Sequence, residues 1–133
     1  MQFLHDPQID RDHDFLINRF SDLYGTLCWE ASEHTANLTL LEELKTHVFG
    51  HFTREEAEMK TLSFPDLAQH QRAHQRLRRA FIKGLQNLES NRASLQEFLL
   101  NMRERFLTHI VTWDRAFEEW LALQPGYVPA THA

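Results

Sequence analysis

The chain has 133 residues, of which 42% are hydrophobic and 25% charged, with only four glycines and four prolines. This length suits one domain with a single core, and the composition excludes a disordered or turn-rich protein. The net charge of −5 argues against nucleic acid as the main partner, and the single cysteine excludes an internal disulfide and any cysteine-based metal site. No apolar run reaches the roughly 20 residues of a membrane span. The N-terminus lacks the pattern of a signal peptide, so we expect a cytoplasmic protein without membrane partners.

Four long amphipathic helices are predicted in chain order, because turn-forming residues are sparse. Asp6-Pro7 starts the first helix, and Pro65 is expected in the first turn of the third. Ser94 and Glu97 have the spacing of a capping box at the start of the fourth. The predicted helices span about residues 7–29, 36–62, 65–88 and 92–121, with a frayed tail over 124–133.

Strand signals are nearly absent, and no internal repeat or interdomain linker is visible. Four antiparallel helices joined by short connections form an up-down-up-down bundle. The sequence therefore predicts a single all-α domain, an antiparallel four-helix bundle.

Residues of metal-ligand type interrupt the apolar stripe of every predicted helix. They are His13 on the first helix, His51 and Glu55 on the second, His70 and His74 on the third, and His109 and Asp114 on the fourth. A single histidine of this kind is usually a hydrogen-bonded core residue. Seven such groups without partners would cost several kcal/mol to bury, whereas a metal satisfies imidazoles and carboxylates together.

The spacing of these residues along the chain predicts that they lie at one level of the bundle. Glu55 and His70 are 15 residues apart across the second turn, so each lies roughly 8 Å from that end. His13 to His51 spans 38 residues and His74 to His109 spans 35. Both spans therefore place these residues at a similar distance, about 24 Å, from the first and third turns at the other end of the bundle. The four inner faces can therefore contribute to one site.

Five imidazoles and two carboxylates are too many for one zinc ion, which takes three or four protein ligands. Two six-coordinate irons bridged by both carboxylates would use all seven. A ferritin-like di-iron site requires Glu-x-x-His on two helices, and that motif is absent, as is the His-Glu-x-x-His zinc motif.

The types and the order of these residues along the chain resemble those of the hemerythrin family. The matching segments are Ile9-Asp10-x-x-His13-x-x-Leu16, His51-Phe52-x-x-Glu55-Glu56-x-x-Met59, His70-x-x-x-His74 and His109-Ile110-x-x-x-Asp114. The resemblance implies two iron ions (Fe²⁺/Fe³⁺), bridged by Glu55, Asp114 and an oxo or hydroxo group. His70, His74 and His109 would hold one iron, and His13 and His51 the other.

The resemblance also implies that dioxygen binds at the iron with two histidines, which keeps a coordination position open. The family's oxygen pocket corresponds here to four apolar residues beside the ligands, namely Leu16, Phe52, Phe106 and Ile110. Only twelve residues precede His13, so the longer tryptophan- and glycine-bearing arm of many members is missing. We therefore expect less protection of the site and faster autoxidation than in a dedicated storage protein.

Two functions of different class stay open, namely reversible dioxygen carriage, storage or delivery, and an oxygen or redox sensor that signals to a partner protein. Peroxide or nitric oxide chemistry is a weaker third, and we expect a binding protein rather than an enzyme. His47 is interpreted as a hydrogen-bonded core histidine, with a place beside the ligands as the alternative. Glu56 is interpreted as a residue without a function in the site. The exposed face of the third helix is interpreted as solvated, with a docking surface for an acidic partner as the alternative, and it carries Arg72, Arg76 and Arg79.

Overall fold

The computed structural model describes residues 3–4, 7–29, 34–90, 92 and 94–129, with side chains at 11–25, 38–90, 92 and 94–129. Its helices are α1 (Pro7–Trp29), α2 (His34–Thr61), α3 (Leu67–Glu89), α4 (Leu95–His109) and α5 (Arg115–Ala122). A π-helical turn, Ile110–Asp114, joins α4 to α5, so that these three elements form one rod. Both α1 and α3 contact α2 and α4, which closes a ring of four rods. The predicted all-α four-helix bundle is confirmed.

The turn between α2 and α3 ends the second helix with a Schellman motif. Ser63 adopts a positive φ of 58°. The N–H of Phe64 donates to the carbonyl of Met59 (2.9 Å), and the N–H of Ser63 donates to that of Lys60 (3.2 Å). Because this motif occupies the residues up to Phe64, Pro65 lies in the connection and α3 begins only at Leu67. The expectation that Pro65 lies inside the third helix is wrong.

The fourth helix begins at Leu95, about three residues later than predicted, but it is capped by the serine that the sequence indicated, and it packs closely on the third. Ser94 is the N-cap of α4, and its hydroxyl accepts a hydrogen bond from the N–H of Glu97 at 3.1 Å. Opposite, a Cβ placed on Gly84 of α3 would lie 2.7 Å from the buried ring of Phe98. Glycine at this position therefore allows α3 and α4 to approach each other.

A short backbone pairing lies outside the bundle. Tyr127–Val128 (β2) pairs in parallel with Phe3–Leu4 (β1), so part of the segment predicted as a frayed tail is ordered. Two residues of strand are too short to produce an apolar alternation that a sequence pattern could reveal. Residues 130–133 lie outside the described part of the chain.

Two apolar cores flank one polar layer of the bundle. The larger core contains Leu16 and Phe20 of α1 and fills most of the interior, and the smaller one is built from Met59, Leu62, Phe64, Phe117 and Leu121 near the α2–α3 turn. Along α2 and along the α4–α5 rod, the ligand-type residues lie between the segments that form these two cores. Among the described helices, none has a stretch of the length and hydropathy that a bilayer crossing requires.

Candidate metal centre

All seven ligand-type residues predicted from the sequence come together in the polar layer, and all are buried. They form two overlapping groups in which the potential ligand atoms lie within 4.8 Å of one another. The first group, called here the three-histidine end, contains His70, His74 and His109 with Glu55 and Asp114. The second, the two-histidine end, contains His13 and His51 with the same two carboxylates.

Each shared carboxylate directs one oxygen to each end of the cluster. Oε1 of Glu55 lies 2.7 Å from Nε2 of His70 and 3.2 Å from Nε2 of His74, while Oε2 lies 3.2 Å from Nε2 of His51. Asp114 is divided in the same way, with Oδ1 3.0 Å from His70 and Oδ2 2.9 Å from His13. This is the arrangement of two carboxylates that can bridge two cations.

The π turn explains how His109 and Asp114 can face the same site. In an α-helix a separation of five residues places two side chains about 140° apart. Here the N–H of Arg115 bonds to the carbonyl of Ile110, five residues back, which adds one residue to the turn. His109 Nε2 consequently lies 3.0 Å from Asp114 Oδ1.

Several polar atoms of the cluster are buried without hydrogen-bond partners among the described residues. They are Nε2 of His13 and His51, both carboxylate oxygens of Glu55, and Oδ2 of Asp114. Leaving such groups unsatisfied costs about 1–3 kcal/mol each, so their convergence favours a compensating partner, either protons on the imidazoles or a cation. A cation supplies one, and imidazole with carboxylate is a donor set that suits iron, zinc and similar divalent metals.

The two carboxylates strongly favour protonation of the neighbouring histidines when no metal competes. Burial alone lowers the pKa of His13, but the carboxylates of Asp114 and Glu55 outweigh it and raise this pKa to about 10. His70 is affected by the same opposing causes, and its pKa rises to about 9. Burial raises the pKa of Glu55, yet the surrounding imidazoles, led by that of His109, hold it well below its usual range.

His74 behaves differently, since its pKa is lowered. Burial is the main cause, and the neighbouring His109 and His70 add to it. Burial and the charge of Glu55 raise the pKa of Asp114, yet hydrogen bonds from the surrounding imidazoles, led by that of His109, lower it below its usual value. Both carboxylates are therefore ionised, and His74 is a neutral imidazole that presents a lone pair. A negative pair surrounded by nitrogen donors is the electrostatic environment that a multivalent cation stabilises.

A carboxylate–arginine pair holds one histidine at the two-histidine end. Nδ1 of His51 donates to Oδ2 of Asp12 at 3.2 Å, and Arg54 donates to the same oxygen from Nε at 2.8 Å. Because the carboxylate accepts from Nδ1, the Nε2 atom of His51 keeps its lone pair for a metal.

A second pair does the same at the three-histidine end. Nδ1 of His74 donates to Oε2 of Glu56 at 2.9 Å, and Nη2 of Arg78 donates to that oxygen, also at 2.9 Å. Each end thus has one histidine oriented by a carboxylate that an arginine holds in turn. The interpretation of Glu56 as a residue without a function in the site is wrong, and Asp12 was missed altogether.

Of the four residues predicted to form an oxygen pocket, Phe106 and Phe52 have rings beside the histidines of the cluster. The ring of Phe106 lies 6.3 Å from that of His13 and 6.1 Å from that of His51, so it faces the two-histidine end. Phe52 instead stacks on His74 at 4.2 Å and 15°. Leu16 is buried in the larger core, and Ile110 is half-buried against it.

His47 takes no part in the cluster. Its side chain is exposed, and its ring lies 5.2 Å from that of Phe15 on the surface formed by α1 and α2. Both interpretations of His47, as a core histidine and as a neighbour of the ligands, are wrong. Arg72, Arg76 and Arg79 are exposed, as predicted for a solvated face of α3.

Comparison with models of known protein families gives a match that covers most of the chain. The family model of the hemerythrin HHE cation binding domain matches residues 5–121, a range that includes all seven cluster residues. No match was found among curated proteins or among solved structures. A four-helix bundle with this buried cluster and this family match shows that the chain belongs to the hemerythrin family of cation-binding domains.

Proposed function

We propose that the cluster holds two iron ions, bridged by Glu55 and Asp114, and that the protein binds dioxygen reversibly at the two-histidine end. The observation that carries this proposal is the division of both carboxylates, each of which offers one oxygen to each set of histidines. A bridging oxo or hydroxo group would complete the centre. A pair of irons, when bound, supplies the two electrons that dioxygen takes up.

The difference in histidine number supports the choice of the two-histidine end. With the two carboxylates shared, the cluster offers one nitrogen donor fewer at His13 and His51 than at the other end. An iron held by His13 and His51 would have a coordination position left for a small ligand. Catalytic metal sites keep such a position open, whereas structural sites are closed.

The chain's own residues prepare this end for a small apolar ligand. The Asp12–Arg54 pair holds His51 in the tautomer that leaves Nε2 free. Phe106 presents its ring to both histidines, the ring of Phe52, which stacks on His74, also lies 6.1 Å from that of His51, and Leu16 is buried in the same core. Such a shell excludes water and hinders proton delivery, which favours reversible binding over release of reduced oxygen.

Oxygen exposure of the reduced, iron-loaded protein tests this function. The reduced protein is expected to be nearly colourless, to gain visible charge-transfer bands when oxygen is admitted, and to lose them when oxygen is removed promptly. His47→Ala, which alters an exposed histidine outside the cluster, serves as the control and should behave like the parent protein. If oxygen instead converts the reduced protein irreversibly within the mixing time, the centre acts as a redox sensor or an oxidase and not as an oxygen carrier.

A further inference from the structure

A cleft of about 330 Å³ opens on the surface between α3 and the junction of α4 with the π turn. The side chains of Ala73, Leu77 and Trp113 give it apolar walls, and the buried His109 forms part of its lining. The four residues of the predicted oxygen pocket do not line it. The cleft therefore approaches the three-histidine end, away from the proposed oxygen position.

The charges at this cleft are not balanced within the protein. The guanidinium of Arg76 lies over the Trp113 ring, 5.8 Å from its centre, and Nε of Arg105 donates to the side-chain oxygen of Asn101 at 3.3 Å. Neither arginine has a carboxylate within ion-pair distance in the described part of the chain. Glu104, also at the cleft, has its own partner, because Oε1 lies 3.8 Å from Nη1 of Arg103. The cleft is thus locally positive in a chain of net charge −5.

A guanidinium beside an apolar wall and an indole matches a flat anion in both charge and shape. Arginine presents donors that fit a carboxylate in a bidentate manner, and aromatic faces accept flat apolar groups. Ligand sites commonly combine apolar walls with a few placed polar groups. We propose that this cleft binds a small organic carboxylate with a planar apolar body, its carboxylate on Arg76 and Arg105 and its body against Trp113 and Leu77.

Such a ligand would lie beside one histidine of the metal centre, His109. His109 lines the cleft and would lie next to the ligand. The ring of His70 lies 6.0 Å from that of Trp113, which forms a wall of the cleft. A bound carboxylate would therefore alter the environment of the metal at the three-histidine end. This coupling rests on the proposed function, whereas the binding itself does not.

Calorimetric titration of the iron-loaded protein with benzoate tests the binding. Benzoate should bind saturably, and benzamide, which has the same ring without the charge, should bind at least about tenfold more weakly. Arg76→Gln should weaken benzoate binding by a similar factor. Arg79→Gln is the matched control, because Arg79 is an exposed arginine of the same helix that does not line the cleft, and it should leave the affinity unchanged.

Three results would overturn the site. They are no saturable binding of benzoate at millimolar concentration, equal affinity for benzamide, and benzoate binding that Arg76→Gln leaves intact, as expected of a ligand bound directly to the metal. The coupling is read separately, as a shift of the visible bands that benzoate causes in the parent protein but not in Arg76→Gln. Failure of the proposed oxygen binding would leave the calorimetric result unaffected, so the two proposals can fail independently.

Discussion

The two ends of the cluster share Glu55 and Asp114 and differ in almost everything else. At the three-histidine end His74 is fully buried and Arg78, which holds its carboxylate partner, is only 19% exposed, although the surface cleft beside Trp113 reaches His109. At the two-histidine end His13 is 7% exposed, and the corresponding Arg54 is 46% exposed. The carboxylate–arginine pair that orients a histidine is therefore more accessible to solvent at the two-histidine end, where we propose that the metal exchanges ligands.

The largest expected effect comes from removing one histidine at each end. Both His74→Ala and His51→Ala should lower the metal content from about two ions per chain towards one and reduce the melting temperature, because metal binding energy is partly folding energy. The remaining ion should lie at the two-histidine end in His74→Ala and at the three-histidine end in His51→Ala, because each variant leaves the histidines of the other end intact. Metal analysis and thermal melts measure this, with His47→Ala as the control. Parent-like metal content in His74→Ala would remove that residue from the ligand set.

A smaller effect is expected from the carboxylates that orient the histidines. Asp12→Asn and Glu56→Gln should each weaken metal binding about 10- to 100-fold, because the amide no longer fixes the histidine tautomer as the carboxylate does. Competition with a chelator measures the affinity, with exposed Asp14→Asn and Glu43→Gln as controls. Asp12→Asn should act on the two-histidine end and Glu56→Gln on the other. Identical spectra and affinities for the two variants would contradict separate ends.

The apolar shell should matter at one end more than at the other. Phe106→Ser places a hydroxyl where a ring faces His13 and His51, and it should accelerate autoxidation several-fold while both metals remain bound. Val111→Ser, on an exposed neighbour of the site, is the matched control. Stopped-flow spectra give the rate. If Phe106→Ser autoxidises at the parent rate with its metal intact, Phe106 does not guard the open position.

The smallest expected effect is a dependence on pH of the difference in melting temperature between the metal-free and the metal-loaded protein. The pKa values of His13 and His70 are raised to about 10 and about 9, so their contribution to metal-free stability is complete below pH 6.5 and is lost as the pH rises through 9 to 10. Metal binding requires unprotonated imidazoles and therefore strengthens over the same range. The gap between the melting temperatures of the two forms should widen from about pH 6.5 to about pH 9. A constant or narrowing gap would contradict this.

The sequence pattern predicted the bundle and the meeting of the seven polar groups, since both follow from the periodicity and spacing of side chains on single helices. The π turn was not foreseen. A separation of five between His109 and Asp114 fits no α-helical face, and that mismatch is the signal that a wider turn is needed.

The residues that orient the histidines escaped prediction for a different physical reason. Asp12 meets His51 across 39 positions, and Glu56 meets His74 across 18, in each case between different helices. Helical periodicity describes one helix at a time, and an acidic residue next to a ligand looks like an ordinary solvated group. Their adjacency to His13 and Glu55 is the only local clue, and it becomes informative once the packing of the helices is known.

A metal count on anaerobically purified protein tests most directly whether Glu55 and Asp114 share two metal ions. The expected result is two irons per chain in the parent protein. In the Glu55→Gln, Asp114→Asn double variant, which lacks both bridging carboxylates, both ends should bind less iron than in the parent. One zinc per chain, or no metal, in the parent protein would contradict a di-iron centre.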